Sequence, residues 1–294
     1  MQRIPRILAA AFLTAGFALA AACGGGGEEQ ASNLPPEDSS ELLVANPSQA
    51  LGQSVDRFEE NVESVEALFT FAIEMDGIAF GADGRFSYVS PDSMYMLMNM
   101  SGGGGGVDLG DLGEFEILLL GDELYMNTGF TGWVKMSLDD FGEGADALRS
   151  LREGHTPLDY QKLIDSIGGE VQNLGSETVD GKTIMRLRVT TDFATLMDSI
   201  ADSVGDSGGG DESLLPADLS GPMALDIMID PQTLLPYKFE ANGEFTMNGQ
   251  SANFGMTFRF FNYNGPVIIP EPPADAKPFD EGFSDAFGQL NAGD

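Results

Sequence analysis

Long runs of strict two-residue alternation decide, more than any other feature, what this chain can fold into. Phe69, Phe71, Ile73 and Met75 alternate with Thr70, Ala72 and Glu74. Met94, Met96, Met98 and Met100 share one face of a later run, with Tyr95, Leu97 and Asn99 on the other. Toward the C terminus, Leu225, Ile227 and Ile229 repeat the pattern, then Phe239, Ala241, Gly243 and Phe245, then Phe254, Met256, Phe258 and Phe260. A strand turns successive side chains to opposite faces, so runs of this kind make strands with one apolar face. Asp180-Gly181 and Asn248-Gly249 are the residue pairs that tight hairpins favour, because both tolerate positive φ. Ala82-Asp83-Gly84-Arg85 reads as another turn, and the glycine run 102–106 as a mobile loop or hairpin tip.

Where the period changes, helices are expected. Leu51, Val55, Phe58 and Val62 recur at steps of four, three and four, which predicts a helix near 48–64. Residues 157–167 read as a second, stopped by Gly168-Gly169, and 192–204 as a third with Asp192 as its N-cap. The fold class that follows is α+β. It is a single strongly curved antiparallel sheet, an unclosed half-barrel, with a few helices lidding the concave face, in one domain over 46–278.

The chain begins with Arg3 and Arg6, then an almost wholly apolar stretch from Ile7 to Ala22, then Cys23, its one cysteine. A basic start, a short apolar core and small residues before a cleavage point make 1–22 a signal peptide rather than a mature span. Removing it takes away two arginines and no acid, leaving 12 basic against 47 acidic residues, a net charge of −35. Such a surface repels nucleic acid and anionic headgroups, so no nucleic-acid partner is expected. With one cysteine no internal disulfide can form, and the core must hold by burial. Residues 23–45, rich in Gly, Glu, Ser and Pro, read as a flexible tether reaching about 25 Å; residues 279–294 read as an acidic tail.

A cysteine placed as Cys23 is resembles the lipobox of bacterial lipoproteins, although Leu19 stands four residues before it where that family has leucine at three. The resemblance implies diacylglycerol on the Cys23 thiol and a membrane held through lipid. The closing segments, Leu225–Asp230, Leu235-Pro236-Tyr237-Lys238 and Phe261–Pro270, resemble those of the LolA-like lipoprotein carriers, and most of all the lipid-anchored LppX/LprG branch. The order of elements over 46–278 carries this resemblance more than any single motif. It implies a half-barrel that holds acyl chains in the cell envelope, on the outer side of the cytoplasmic membrane or in the periplasm or outer membrane.

Catalytic signals are missing. The glycine run has no Gly-Lys-Ser/Thr after it, so it is no phosphate cradle. His155 is the sole histidine, which excludes imidazole-clustered metal sites, and it has no identifiable serine or acid partner. Neither Asp108, Asp111, Glu114 and Glu116 nor Asp206, Asp211 and Glu212 has the spacing of a calcium loop. No metal, cofactor or enzymatic activity is expected. The methionine stripe is more informative, because flexible, polarizable side chains suit an exchangeable apolar partner, yet they also fill cores. The expected apolar cavity is lined by Phe69, Phe71, Ile73, Met94, Met96, Met98 and Phe258. The expected function is binding or carrying lipid or another acylated ligand. The alternative is an envelope sensor of the same fold that reads a protein or lipoprotein partner.

Replacing the one thiol tests the anchor: Cys23→Ser should move the protein to the soluble fraction or leave an unprocessed precursor. Membrane fractionation with detection of the precursor reads the outcome, and unchanged partitioning of a correctly processed variant would refute the anchor.

Overall fold

The computed structural model describes residues 39–91, 93–104, 107–128, 131–140, 171–195, 220–247 and 249–282. Two helices open it, α1 (Ser40–Ala45) and α2 (Pro47–Asn61). Strands β1 (Ser64–Met75), β2 (Ile78–Val89), β3 (Ser93–Gly104), β4 (Val107–Leu120), β5 (Glu123–Asn127) and β6 (Trp133–Ser137) follow as one meander. A second meander comprises β7 (Val171–Val179), β8 (Lys182–Asp192), β9 (Pro222–Ile229), β10 (Pro236–Met247) and β11 (Gln250–Phe261), and β12 (Lys277–Pro278) ends the series.

All of them form one 12-stranded sheet in the order β12-β6-β5-β4-β3-β2-β1-β11-β10-β9-β8-β7, open at both edges and half-barrel-like. Every pairing is antiparallel except β12 on β6. The two meanders meet at a single ladder, β1 against β11, running from Glu66↔Phe261 to Met75↔Ala252. Asn264 closes the end of that ladder: its Oδ1 accepts from the Glu63 amide at 2.7 Å and its Nδ2 donates to the Asn61 carbonyl at 2.6 Å.

The hairpins obey turn chemistry. Asp180 and Gly181 take φ of 50° and 79°, and Asp76-Gly77 does the same between β1 and β2 at 52° and 74°. Three boundaries differ from the sequence reading. Residues 82–85 are no turn, because β2 runs unbroken and is paired along its whole length on both sides. Gly84 is there for space: a Cβ would stand 2.6 Å from the Phe69 ring. Residues 40–45, read as tether, are helical, and Leu43 is wholly buried. Asn173 donates to the Leu43 carbonyl at 2.7 Å, which fastens α1 beside β7. Finally, Phe279, read as tail, packs against the core. The helix expected over 157–167 lies outside the described residues, as does 192–204 beyond residue 195; residues 193–195 are helical, and Asp192 caps them by accepting from the Ala194 amide at 2.9 Å.

The outer face carries the buried charge. Asp226, 3% exposed, receives both Arg188 (Nε to Oδ1 and Nη2 to Oδ2, each 2.6 Å) and Arg186 (Nη2 to Oδ2, 2.5 Å). Burial alone would raise this carboxyl, but the hydrogen bonds and charges of Arg188 and Arg186 outweigh it and hold it below the usual carboxylate range. A lowered folded-state value adds stability above the unfolded value of about 3.9, and that stability is lost as pH falls through the folded value. Asp226→Asn should therefore cost about 1–3 kcal/mol at neutral pH, since the arginines it leaves are part-exposed and rehydrate. Urea titrations should show the gap between variant and parent closing below about pH 4.

Candidate functional site

The inner face is continuous across the sheet because register keeps the same parity from strand to strand. Phe69 stands opposite Phe258 on one side and Gly84 on the other, and Gly84 is opposite Met98. Met96 is flanked by Phe86 and Ile117, and Met94 by Tyr88 and Leu119. No inward position in β1–β3, β5, β6 or β8–β11 holds a charged residue. An unpaired ion there would be expensive to desolvate, so this face can receive only apolar matter.

Its two ends differ. At the Ser64 end, Val65, Ala67 and Phe260 are sealed together with α2's Leu51 and Phe58 and α1's Leu43. The Phe58 ring meets Tyr263 edge-on at 6.0 Å. Toward the opposite end, where β1 turns into β2 and β10 into β11, Phe71, Ile73, Met98, Phe115 and Phe254 are only half-buried. Aromatic contacts link the two ends. Phe69 stacks on Phe258 at 5.5 Å, Phe71 meets Phe254 edge-on at 5.4 Å, and Phe193 stacks on Phe245 at 4.6 Å while touching Phe254 at 5.9 Å.

The side chains singled out from sequence thus occupy one face but not one environment. Met94, Met96, Phe69 and Phe258 are buried core at 5%, 8%, 6% and 4% exposure. Phe71 and Met98 pack partly buried against that core, while Ile73 joins a smaller cluster around Phe245 and Ala252. The sequence reading left out of this lining Phe115, Met126 and Met223, and also Met256, which it had placed in the alternating run 254–260; all four face the same way. Their strands also alternate, but only the sheet order shows that the faces coincide.

Cys23, His155 and the cluster Asp206, Asp211 and Glu212 lie outside the described residues, as do the side chains of Asp108 and Asp111. Glu116 sits on the outer face with both oxygens engaged, by Tyr95 Oη at 2.7 Å and Asn127 Nδ2 at 3.1 Å. Burial and this bond push the Tyr95 phenol well above its ordinary value. Among the described residues no group of three or more His, Cys, Asp or Glu is placed to hold a metal ion. No described helix is long and apolar enough to cross a membrane.

Gly84 tests the packing of this face. Gly84→Val should push the Leu97 carbonyl of β3, on which the added Cβ would fall, as well as the Phe69 ring out of place, and lower stability by about 1–3 kcal/mol or more in denaturant titration.

No protein-family model matches this sequence, and no curated protein matches it. Among solved structures the chain is similar to the Mycobacterium tuberculosis lipoprotein LppX, with 14% identity, a TM-score of 0.42, and 77% of this chain and 100% of that one covered. It is likewise similar to LprF from Mycobacterium bovis, at 13% identity and TM-score 0.42 over 81% of this chain and 100% of that. MucB follows at 12% identity and TM-score 0.34, covering 78% of this chain and 65% of MucB.

Proposed function

We propose that this protein is a lipid-anchored component of the cell envelope that shelters an acyl chain, or a ligand of the same apolar character, against the half-buried end of its inner face. One observation carries the reading. An uncharged sheet face, rich in phenylalanine and methionine, is closed by α1 and α2 at the Ser64 end and keeps partial exposure at the other. Branched aliphatic residues would fill a permanent core better. Methionines adapt to a partner that comes and goes. Phe71, Ile73, Met98, Phe115 and Phe254 form the binding end, whereas Met94 and Met96 belong to the packed floor. Anchoring through Cys23 holds the body near a membrane from which acyl ligands could enter.

Organic extraction of protein purified from its native envelope, followed by mass spectrometry, should release lipid in stoichiometric amount. A pair of truncations separates floor from binding end. Met94→Ala should cost the ~2–5 kcal/mol of a packed core methionine, and Met98→Ala distinctly less. Met98→Glu should stay folded yet lose both the extracted lipid and the uptake of a fluorescent fatty-acyl probe. Parent protein that never yields lipid, with equal losses for the two alanine variants, would assign the whole face to ordinary core.

A further inference from the structure

The outer face of the sheet is polarised along its strands. Close to the Ser64 end, register sets Arg186, Met228, Lys238, Arg259, Leu68 and Arg85 side by side across β8, β9, β10, β11, β1 and β2. Six residues further along the strands, the corresponding row of β10, β11 and β1 holds Glu244, Asn253 and Glu74. The charge therefore reverses over about 20 Å.

The basic row contains a pairing that the sheet itself does not favour. Lys238 stands directly opposite Arg259, and like charges in that position are destabilising. Acid is not scarce in a chain with 47 acidic against 14 basic residues. Lys238 turns along its own strand to Glu240, and Arg85 pairs with Glu66. Among the described residues no carboxylate pairs with Arg259. Exposed apolar groups lie in the same region. Leu68, 46% exposed, stands between Arg259 and Arg85. Asn262 donates to Glu66 and to the Pro266 carbonyl, which brings up the segment that carries Ile268, 86% exposed. These are two of the four large exposed apolar residues among those described.

We propose that this row is a docking surface for anionic phospholipid headgroups, with Arg259, Lys238 and Arg85 against the phosphates and Leu68 and Ile268 in the interfacial layer. Phosphate supplies the counter-charge that Arg259 lacks, Lys238 opposite it being held by Glu240. The carboxylates beside the row, Glu66, Glu240 and Asp226, are already bonded to Arg85, Lys238, Arg186 and Arg188, and the row of Glu244 and Glu74 lies beyond two screening lengths of about 8 Å at physiological salt. The Ser39 amide donates to the Pro231 carbonyl at 3.0 Å, so the chain enters the body at the Ser64 end of the sheet, the end nearest the basic row. This docking is independent of whether the inner face holds an acyl chain.

The test uses the mature chain carrying Cys23→Ser, so that no acyl anchor contributes, sedimented with phosphatidylglycerol/phosphatidylcholine vesicles and with phosphatidylcholine vesicles alone. Binding should favour the anionic vesicles and disappear in about 0.5 M salt. Lys238→Glu and Arg259→Glu should each weaken it more than about fivefold, the worth of losing one basic side chain near an anionic leaflet, since each also adds a negative charge. Leu68→Ser should weaken it at low salt without changing the salt concentration at which it disappears. Arg259→Thr, which relieves the like-charge opposition, should melt no lower than the parent while binding less. Equal binding to both vesicle types, binding unchanged by the reversals, capture of an acidic protein in place of vesicles, or a lower melting temperature for Arg259→Thr with vesicle binding intact would each overturn the proposal.

Discussion

The β1–β11 ladder is the joint on which the rest of this structure depends. Each meander pairs with itself through local hairpins, and among the described residues the only other pairing that reaches across is the two-residue β12 on β6. The ladder joins residues nearly two hundred positions apart, from Glu66↔Phe261 to Met75↔Ala252. Closing so long a stretch of chain is unrewarded until the ladder forms, so its assembly is the late, slow event expected of non-local sheets. What rewards it is aromatic. Phe69 and Phe71 on β1 face Phe258 and Met256 on β11, and Phe254 comes within reach of Phe71. Without a disulfide, this contact and the Asn264 clasp hold the halves together.

Much of this was legible in the residues. Period-two alternation marks the faces of β1, β3, β9, β10 and β11, and Asp180-Gly181 marks its hairpin because few other pairs accept positive φ twice. What could not be read has physical reasons. Asp83-Gly84 looks like a turn, yet two flanking strands demand its backbone groups, and the glycine serves a neighbouring ring. Helix α1 is only six residues long, too short to show a stripe, and Leu43, with Leu42 packed partly buried beside it, carries its burial. The division of the inner face into floor and half-buried end depends on which strands the helices cover. No one-dimensional pattern encodes that, so Met94 and Met98 look alike in sequence and differ in place.

The two faces of the sheet solve opposite problems. The inner one carries no charged residue on β1–β3, β5, β6 or β8–β11. The outer one concentrates charge, with Arg186, Arg188, Asp226, Glu240 and Lys238 bonded across β8, β9 and β10. The side chains of Arg186 and Lys238 stand on either side of Met228, which is 4% exposed despite facing outward. Long basic side chains here serve as cover as well as charge. Among the described residues no second layer covers the outer side over those strands, and these side chains thicken the sheet there.

An open sheet has two edges, and each could template another chain. At β6 the chain's own Lys277–Pro278 pairs parallel, and a proline supplies no amide to continue the ladder. At β7 the Asn173/Gly175 bulge breaks the register, and Asn173 Oδ1 takes the Gly175 amide at 2.6 Å. A bulged strand with an amide already spent on its own side chain makes a poor partner for an incoming strand. Sheet growth is thus obstructed at both ends by the chain's own devices. A protein built as half of a barrel can then be crowded on a two-dimensional surface without its exposed edges polymerising it.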